Sequence, residues 1–199
     1  LWFGSNRVGG RSQLWESRRT ASDQPFGTPT LLAGPVSDPR LEAYYLAFEE
    51  ANRGSEEVIA KKMQVYESWA VKQKPLSSYP VLDLGCGRGE WLELLQDLQR
   101  TANGIDLDDG MLAACRDRGL NVQTGDAIAH LKSLPADSMS IVSGFHIAEH
   151  LTLDDLQSLI QESLRVLKPA GLLILEVPNT ENLVVGTSSF YLDPTHQRP

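Results

Sequence analysis

The chain has 199 residues, 41% hydrophobic and 22% charged, which is enough for one domain with a buried core. A formal net charge of -8 and a pI near 5.0 exclude a general binder of nucleic acid or anionic membranes, because Lys and Arg must neutralise such partners. Only two cysteines are present, Cys86 and Cys115, in no CxxC pair, and no apolar run suits a bilayer span or signal peptide; a disulfide scaffold and a thiolate zinc site are excluded, and a cytoplasmic location is expected.

Residues 1–36 are rich in Gly, Ser, Pro and Arg without sustained periodicity, and are expected to form a linker or weakly ordered arm. The chain starts at Leu1 and stops in the polar run THQRP, so a piece of a longer polypeptide is expected. At Asp38 the pattern changes. Asp38 is a good N-cap, Pro39 suits the first helical position, and Leu41, Tyr44, Tyr45 and Phe48 recur at helical spacing until Gly54. Ser55 caps a second helix, with Glu56 and Glu57 in its first turn and Ile59, Met63, Tyr66 and Ala70 on one face, ending before Pro75. Residues 37–75 therefore read as a helical cover over a core spanning 76–199.

Within that core, short apolar runs alternate with helical patterns. VLDLGC is a strand, EWLELLQDLQ a helix, ANGIDL a strand and DGMLAACRDR a helix. NVQTGD and SIVSGF are strands, LDDLQSLIQESLRVL a helix and GLLILEVP a strand. Parallel neighbours need crossovers, so this alternation predicts an α/β domain: a doubly wound, mostly parallel sheet with helices on both faces.

Ligands of such sheets bind at the carboxyl ends of strands, where the winding direction switches. The first strand-to-helix turn carries Asp83, Gly85, Gly87 and Gly89, glycines at alternate positions that let the backbone turn sharply and approach a ligand. A dinucleotide fingerprint would need its third glycine at position 90, which is Glu90.

Residues 145–151, FHIAEHL, place His146, Glu149 and His150 in the order HxxEH, the spacing of an inverted zinc-protease motif. That chemistry requires His146 and His150 on one face of a continuous helix. The preceding SMSIVSGF reads as a buried strand, so His146 is expected at a strand end, and a protease site is not.

VLDLGCGRG resembles motif I of the class I methyltransferases that use S-adenosyl-L-methionine and release S-adenosyl-L-homocysteine. The resemblance implies that Asp83, Gly85 and Gly87 hold the amino-acid end of the cofactor. It likewise implies that Asp106 binds the ribose hydroxyls and Asp126 the adenine amine, with Leu107, Ala127 and Phe145 completing the site. RVLKPAGLLILEVPN looks like the family's turn into the fifth strand, with Ala170 replacing the first of two glycines. HxxEHL is a segment in which the family's fourth strand commonly ends, beside the methyl-bearing sulfur. The similar ubiquinone and small-RNA methyltransferases carry ExxEH there with a divalent ion. His146 stands here in place of that Glu, and because hard cations prefer oxygen ligands, no metal is expected.

Methyl transfer is an in-line displacement, and a hydroxyl acceptor must also lose a proton. His146 and His196 are the candidate bases. EVPNTENLVVGT, between the last strand and His196, reads as an acceptor-side wall. Over residues 38–199, LEVPNTENLVVGTSSFYLDPTHQRP, YYLAFEEANRGSEEVI and the glycine loop resemble bacterial methyltransferases of cell-surface polysaccharide biosynthesis, including O-antigen capping enzymes and modules fused to glycosyltransferases. This resemblance implies a sugar hydroxyl or phosphate of a glycan as acceptor and a fused or associated glycosyltransferase as partner. A complete fold of that family continues with a further helix and an antiparallel strand pair, so either the chain is a piece of a longer protein or something else completes the sheet edge. Arg53 is then placed to meet the cofactor carboxylate, although by spacing it reads equally as a solvated arginine. Two alternatives stand beside it: a metal-assisted O-methyltransferase acting on a small phenol or an RNA terminus, and a non-catalytic cofactor-binding module.

Overall fold

The computed structural model describes residues 55–197. The expected arm over 1–36, the helix from Asp38 to Gly54 and Arg53 lie outside the described residues. From Ser55 the chain forms α1 (Glu56–Met63), a 3₁₀ turn (Gln64–Tyr66) and α2 (Glu67–Lys72). The tightened turn interrupts the single helix expected here but preserves its apolar face. Ile59, Met63 and Ala70 remain buried, with Tyr66 packed beside them.

Five parallel strands follow: β1 (Val81–Leu84), β2 (Ala102–Asp106), β3 (Val122–Thr124), β4 (Met139–Phe145) and β5 (Leu167–Glu176). Their order across the sheet is β3-β2-β1-β4-β5, so the winding reverses between β1 and β4. The connecting helices are α3 (Glu90–Asp97), α4 (Asp109–Asp117), α5 (Ala127–Ser133) and α6 (Leu153–Val166), and a short α7 (Leu183–Thr187) follows β5. This is the doubly wound sheet that the sequence predicts.

Side chains alternate across the sheet, and each face has its own core. Leu82, Leu84 and Val142 pack with Leu131 of α5 and Leu159 of α6. Val81, Ile141 and Phe145 pack on the opposite face with Trp91 and Leu95 of α3 and with the α1–α2 cover. Arg100 fastens that cover to the sheet. It is 8% exposed, and its guanidinium donates to the Ala70 carbonyl and to Ser140 Oγ, each at 2.9 Å.

Two elements differ from the sequence expectation. The crossover helix α5 was not foreseen between NVQTGD and SIVSGF, because its seven residues bury only Ile128 and Leu131, too few to display a period. Asp126 caps it by accepting the Ala129 amide at 2.7 Å, while Arg165 of α6 donates to the carbonyls of Leu131 and Leu134 at its other end. The second difference is β5, which begins earlier than GLLILEVP. Met139 pairs with Leu167 and Ile141 with Leu172, so Lys168–Gly171 bulge out of the ladder.

Ala170, on this bulge, has φ +68. A Cβ in the left-handed region clashes with the following carbonyl, and glycine escapes that cost. Ala170→Gly is therefore expected to stabilise the protein by roughly 0.5–1 kcal/mol after glycine's greater unfolded-state entropy is subtracted. Urea denaturation measures the change, and a loss of stability would refute it.

Candidate functional site

All five parallel strands end on one edge, and the glycine loop leaves β1 there. Gly85, Gly87 and Gly89 have φ +66, +51 and +82, so three left-handed steps turn the chain before α3 begins. The Gly85 and Cys86 amides bind the Ile105 carbonyl at 2.8 and 3.1 Å, anchoring the loop on β2. The Gly87 amide donates to Asp106 Oδ2 at 2.8 Å and the Asp108 amide to Asp106 Oδ1 at 2.9 Å. Asp106 is thus fixed at the end of β2 against the loop.

Leu107 follows it and is 72% exposed, an apolar surface open beside a fixed carboxylate. Asp126, at the end of β3, caps α5 through Oδ1, and Ala127 packs beneath it on the core. Gly85, Gly87, Asp106, Leu107, Asp126 and Ala127 therefore line one run across the ends of β1, β2 and β3. The set fits the expected cofactor: backbone that approaches closely for the amino-acid end, a positioned carboxylate for a ribose diol, and an uncovered leucine for a flat base.

Two residues assigned to this site sit deeper than expected. Asp83 is 2% exposed, and its Oδ1 accepts the Ser143 hydroxyl at 2.7 Å; Ser143 in turn receives the Trp91 indole N–H at 3.0 Å. Phe145 is 4% exposed, with its ring against Tyr66 and Trp91. Strand alternation turns both side chains toward α3, so contact with a ligand at the strand ends is left to their backbone.

Beside the glycine loop, at the ends of β4 and β5, lies a cavity of about 430 Å³. Ile147, the residue after His146, sits over the glycine loop: a Cβ added at Gly85 would meet its side chain at 3.4 Å. The polar wall of the cavity includes His146, Glu149, His150, Glu176, Asp193 and His196 together with Lys62, and its apolar wall includes Ile59, Met63, Phe190 and Leu192. The cover and the segment after β5 both contribute, with Glu176, Pro178 and Val185 of EVPNTENLVVGT in the lining; after β5 the chain folds as α7, capped by Asn182, and a 3₁₀ turn (Ser189–Leu192).

His146 leaves β4 with φ +58, and only Ala148–His150 continue as a 3₁₀ turn. His146 and His150 thus share no continuous helix, as the strand reading of FHIAEHL requires. Instead His146 stands between two carboxylates: Nδ1 is 3.1 Å from Glu149 Oε1 and Nε2 is 3.4 Å from Glu176 Oε1. Tyr66 of the cover donates its hydroxyl to Glu176 Oε2. Burial and that carboxylate push the Tyr66 phenol up to about 12. The hydrogen bond from His146, then those from Tyr66 and the charge of Lys62, hold Glu176 below its ordinary value against the cost of burial.

His150 and His196 face each other with ring centroids 4.8 Å apart. Burial lowers the His150 pKa, against the pull of Glu149 and Asp193. Burial would raise Asp193, but hydrogen bonds from the Thr195 hydroxyl and amide outweigh it and hold the carboxyl low. His196, a candidate base, is in the cavity wall with Nδ1 bonded to the Phe190 carbonyl. Tyr66, Glu176 and Asp193 escaped the sequence reading; their one sequence signal is that Glu176 ends a strand on the functional edge. Cys86 and Cys115 form no disulfide, and burial raises both thiols, so neither is a nucleophile here.

Residues 81–171 match the family described as "Methyltransferase domain". The crystal structure of an S-adenosylmethionine-dependent methyltransferase from Archaeoglobus fulgidus superimposes with a TM-score of 0.68 at 35% identity, over 78% of this chain and 67% of that one. A probable S-adenosylmethionine-dependent methyltransferase of Mycolicibacterium smegmatis is 32% identical over 59% of this chain and 45% of its own length. A ubiquinone biosynthesis O-methyltransferase of Pseudomonas fluorescens is 30% identical over 52% of this chain and 46% of its own. The chain thus spans somewhat under half the length of these curated relatives. With its glycine loop, strand-end acids and sheet order, it belongs to the S-adenosylmethionine-dependent methyltransferases.

Proposed function

We propose that the protein methylates a hydroxyl of a sugar in a bacterial surface glycan, with His146 as the base. The observation that carries this is the clamp on His146 at the wall of a cavity adjoining the cofactor loop. Bound S-adenosylmethionine supplies an electrophilic methyl carbon and leaves as S-adenosylhomocysteine. Glu149 accepts a hydrogen bond from Nδ1–H and fixes that tautomer, so that Nε2 carries the lone pair that takes the acceptor's proton; the imidazolium so formed then donates from Nε2 to Glu176, which neutralises it. A cavity of about 430 Å³ suits a monosaccharide-sized group. The polysaccharide assignment draws on the resemblance of residues 38–199 to methyltransferases of surface-glycan synthesis, and the net charge of -8 favours an uncharged acceptor. The apolar wall of Ile59, Met63, Phe190 and Leu192 supports a second reading, a phenolic acceptor.

Calorimetry with S-adenosylhomocysteine is expected to show micromolar binding that Asp106→Ala loses; binding that survives the substitution would refute the cofactor assignment. With the cofactor bound, a panel of glycans, sugar phosphates and phenols identifies the acceptor class. For a hydroxyl acceptor, His146→Ala should lower kcat by about 10²–10⁴-fold without weakening S-adenosylhomocysteine. An unchanged kcat would instead mean an acceptor oxygen that is already anionic, such as a phosphate.

The clamp also predicts a pH dependence of stability. A carboxylate whose pKa is depressed on folding stabilises above its unfolded pKa of about 4.3, and that contribution fades as pH falls through the folded value. Glu176→Gln should therefore cost stability at pH 7 and progressively less below about pH 4.3. Urea denaturation across that range tests it, and a deficit that does not shrink in acid would remove the clamp.

A further inference from the structure

We propose that Glu149, His150 and His196 bind one divalent ion of the zinc or cobalt type at the inner wall of this cavity. The proposal rests on reading the cavity as the acceptor site. Each residue offers one ligand atom, and the three lie within 4.8 Å of one another.

The protons and lone pairs around these residues are already arranged for ligation. Thr195 Oγ1 donates to Asp193 Oδ1 at 2.6 Å, so its oxygen is left to accept the His150 Nδ1 proton at 2.7 Å. His196 Nδ1 donates to the Phe190 carbonyl. Both rings therefore carry hydrogen on Nδ1 and a lone pair on Nε2. His196 Nε2 has Asp193 Oδ2 at 3.9 Å, beyond hydrogen-bond distance. An imidazole whose Nδ1–H is held by a backbone carbonyl or a hydroxyl–carboxylate pair is the usual outer-shell arrangement of a metal ligand.

Glu149 provides an independent sign. It is 4% exposed; Oε1 is taken by His146, while Oε2 is buried without a hydrogen-bond partner. Leaving a carboxylate oxygen uncompensated in a buried site is costly, and a cation removes that cost.

This ligand set keeps the Glu149 and His150 of the sequence motif but not its first residue. His146, the first letter of HxxEH, is occupied by Glu149 and Glu176, and His196 is brought in from beyond β5. Two imidazoles and one carboxylate favour borderline ions over Mg²⁺ or Ca²⁺, which require oxygen donors. Three protein ligands leave a position for an acceptor oxygen. Donors around a tetrahedral ion at about 2.1 Å lie about 3.4 Å apart, so binding would draw the turn after β4 and the segment after α7 together.

The test is a titration of chelator-treated full chain with CoCl₂, followed by visible ligand-field absorption, with ZnCl₂ calorimetry beside it. One saturable equivalent is expected, unaffected by excess MgCl₂. His150→Ala and His196→Gln should each weaken binding at least tenfold, while His130→Ala, outside the cavity, should retain it. Thermal melting confirms that each variant is folded. Absence of saturable binding by folded wild type, or affinities in the two cavity variants equal to wild type, would overturn the site. The titration needs neither cofactor nor acceptor, so Asp106→Ala keeps its cobalt spectrum even where S-adenosylhomocysteine binding is lost. Failure of the metal site and failure of the methyltransferase reading are therefore separate results.

Discussion

Parallel pairing of β1 with β4 is the constraint on which the rest of this structure depends. A parallel pair cannot be closed by a hairpin, so every strand returns through a helix and every strand end points the same way. Because β1 lies between β2 and β4, the chain leaves it toward one side and returns on the other. The crevice at that reversal is where the fold places its chemistry. The acids ending β2 and β3 fall on one flank, and the histidine and glutamates ending β4 and β5 fall on the other.

Division of labour follows from the two flanks. On the cofactor side the groups are held by backbone: Asp106 is fixed by two main-chain amides and Asp126 by its role as a cap. On the cavity side they are held by one another, with His146 between two carboxylates and Tyr66 reaching Glu176 from the cover. Backbone anchoring suits a ligand of constant shape. Mutual anchoring among side chains allows the same scaffold to accept different partners when a few residues change, because no strand need move.

The cofactor flank was legible in the sequence because its signals are local. VLDLGCGRG, GIDL and TGDA each declare a strand end within a few residues, and the structure places Gly85, Gly87, Asp106 and Asp126 on one edge. The cavity flank was only partly legible, because Tyr66, Glu176 and Asp193 meet only through folding; Tyr66 and Glu176 are 110 positions apart. Strand parity explains the misplacement of Asp83 and Phe145, since being at the right end of a strand does not say which face a side chain takes. Helix α5 was hidden by its brevity. Ala170 was legible as a departure from a glycine, but the sequence could not say that its backbone would be left-handed.

His146 adopts a backbone conformation that most side chains avoid, and it does so just past the end of β4, where the chain turns toward the cavity. Asparagine or glycine would occupy that position more comfortably, yet neither can shuttle a proton. Under the role proposed for His146, a locally disfavoured residue is kept there because only an imidazole can take the acceptor's proton. Under selection for thermal robustness alone, this position should drift, and a lineage that lost its acceptor would be expected to replace His146 early. The left-handed histidine is thus a marker by which working and retired copies of this scaffold could be told apart from sequence.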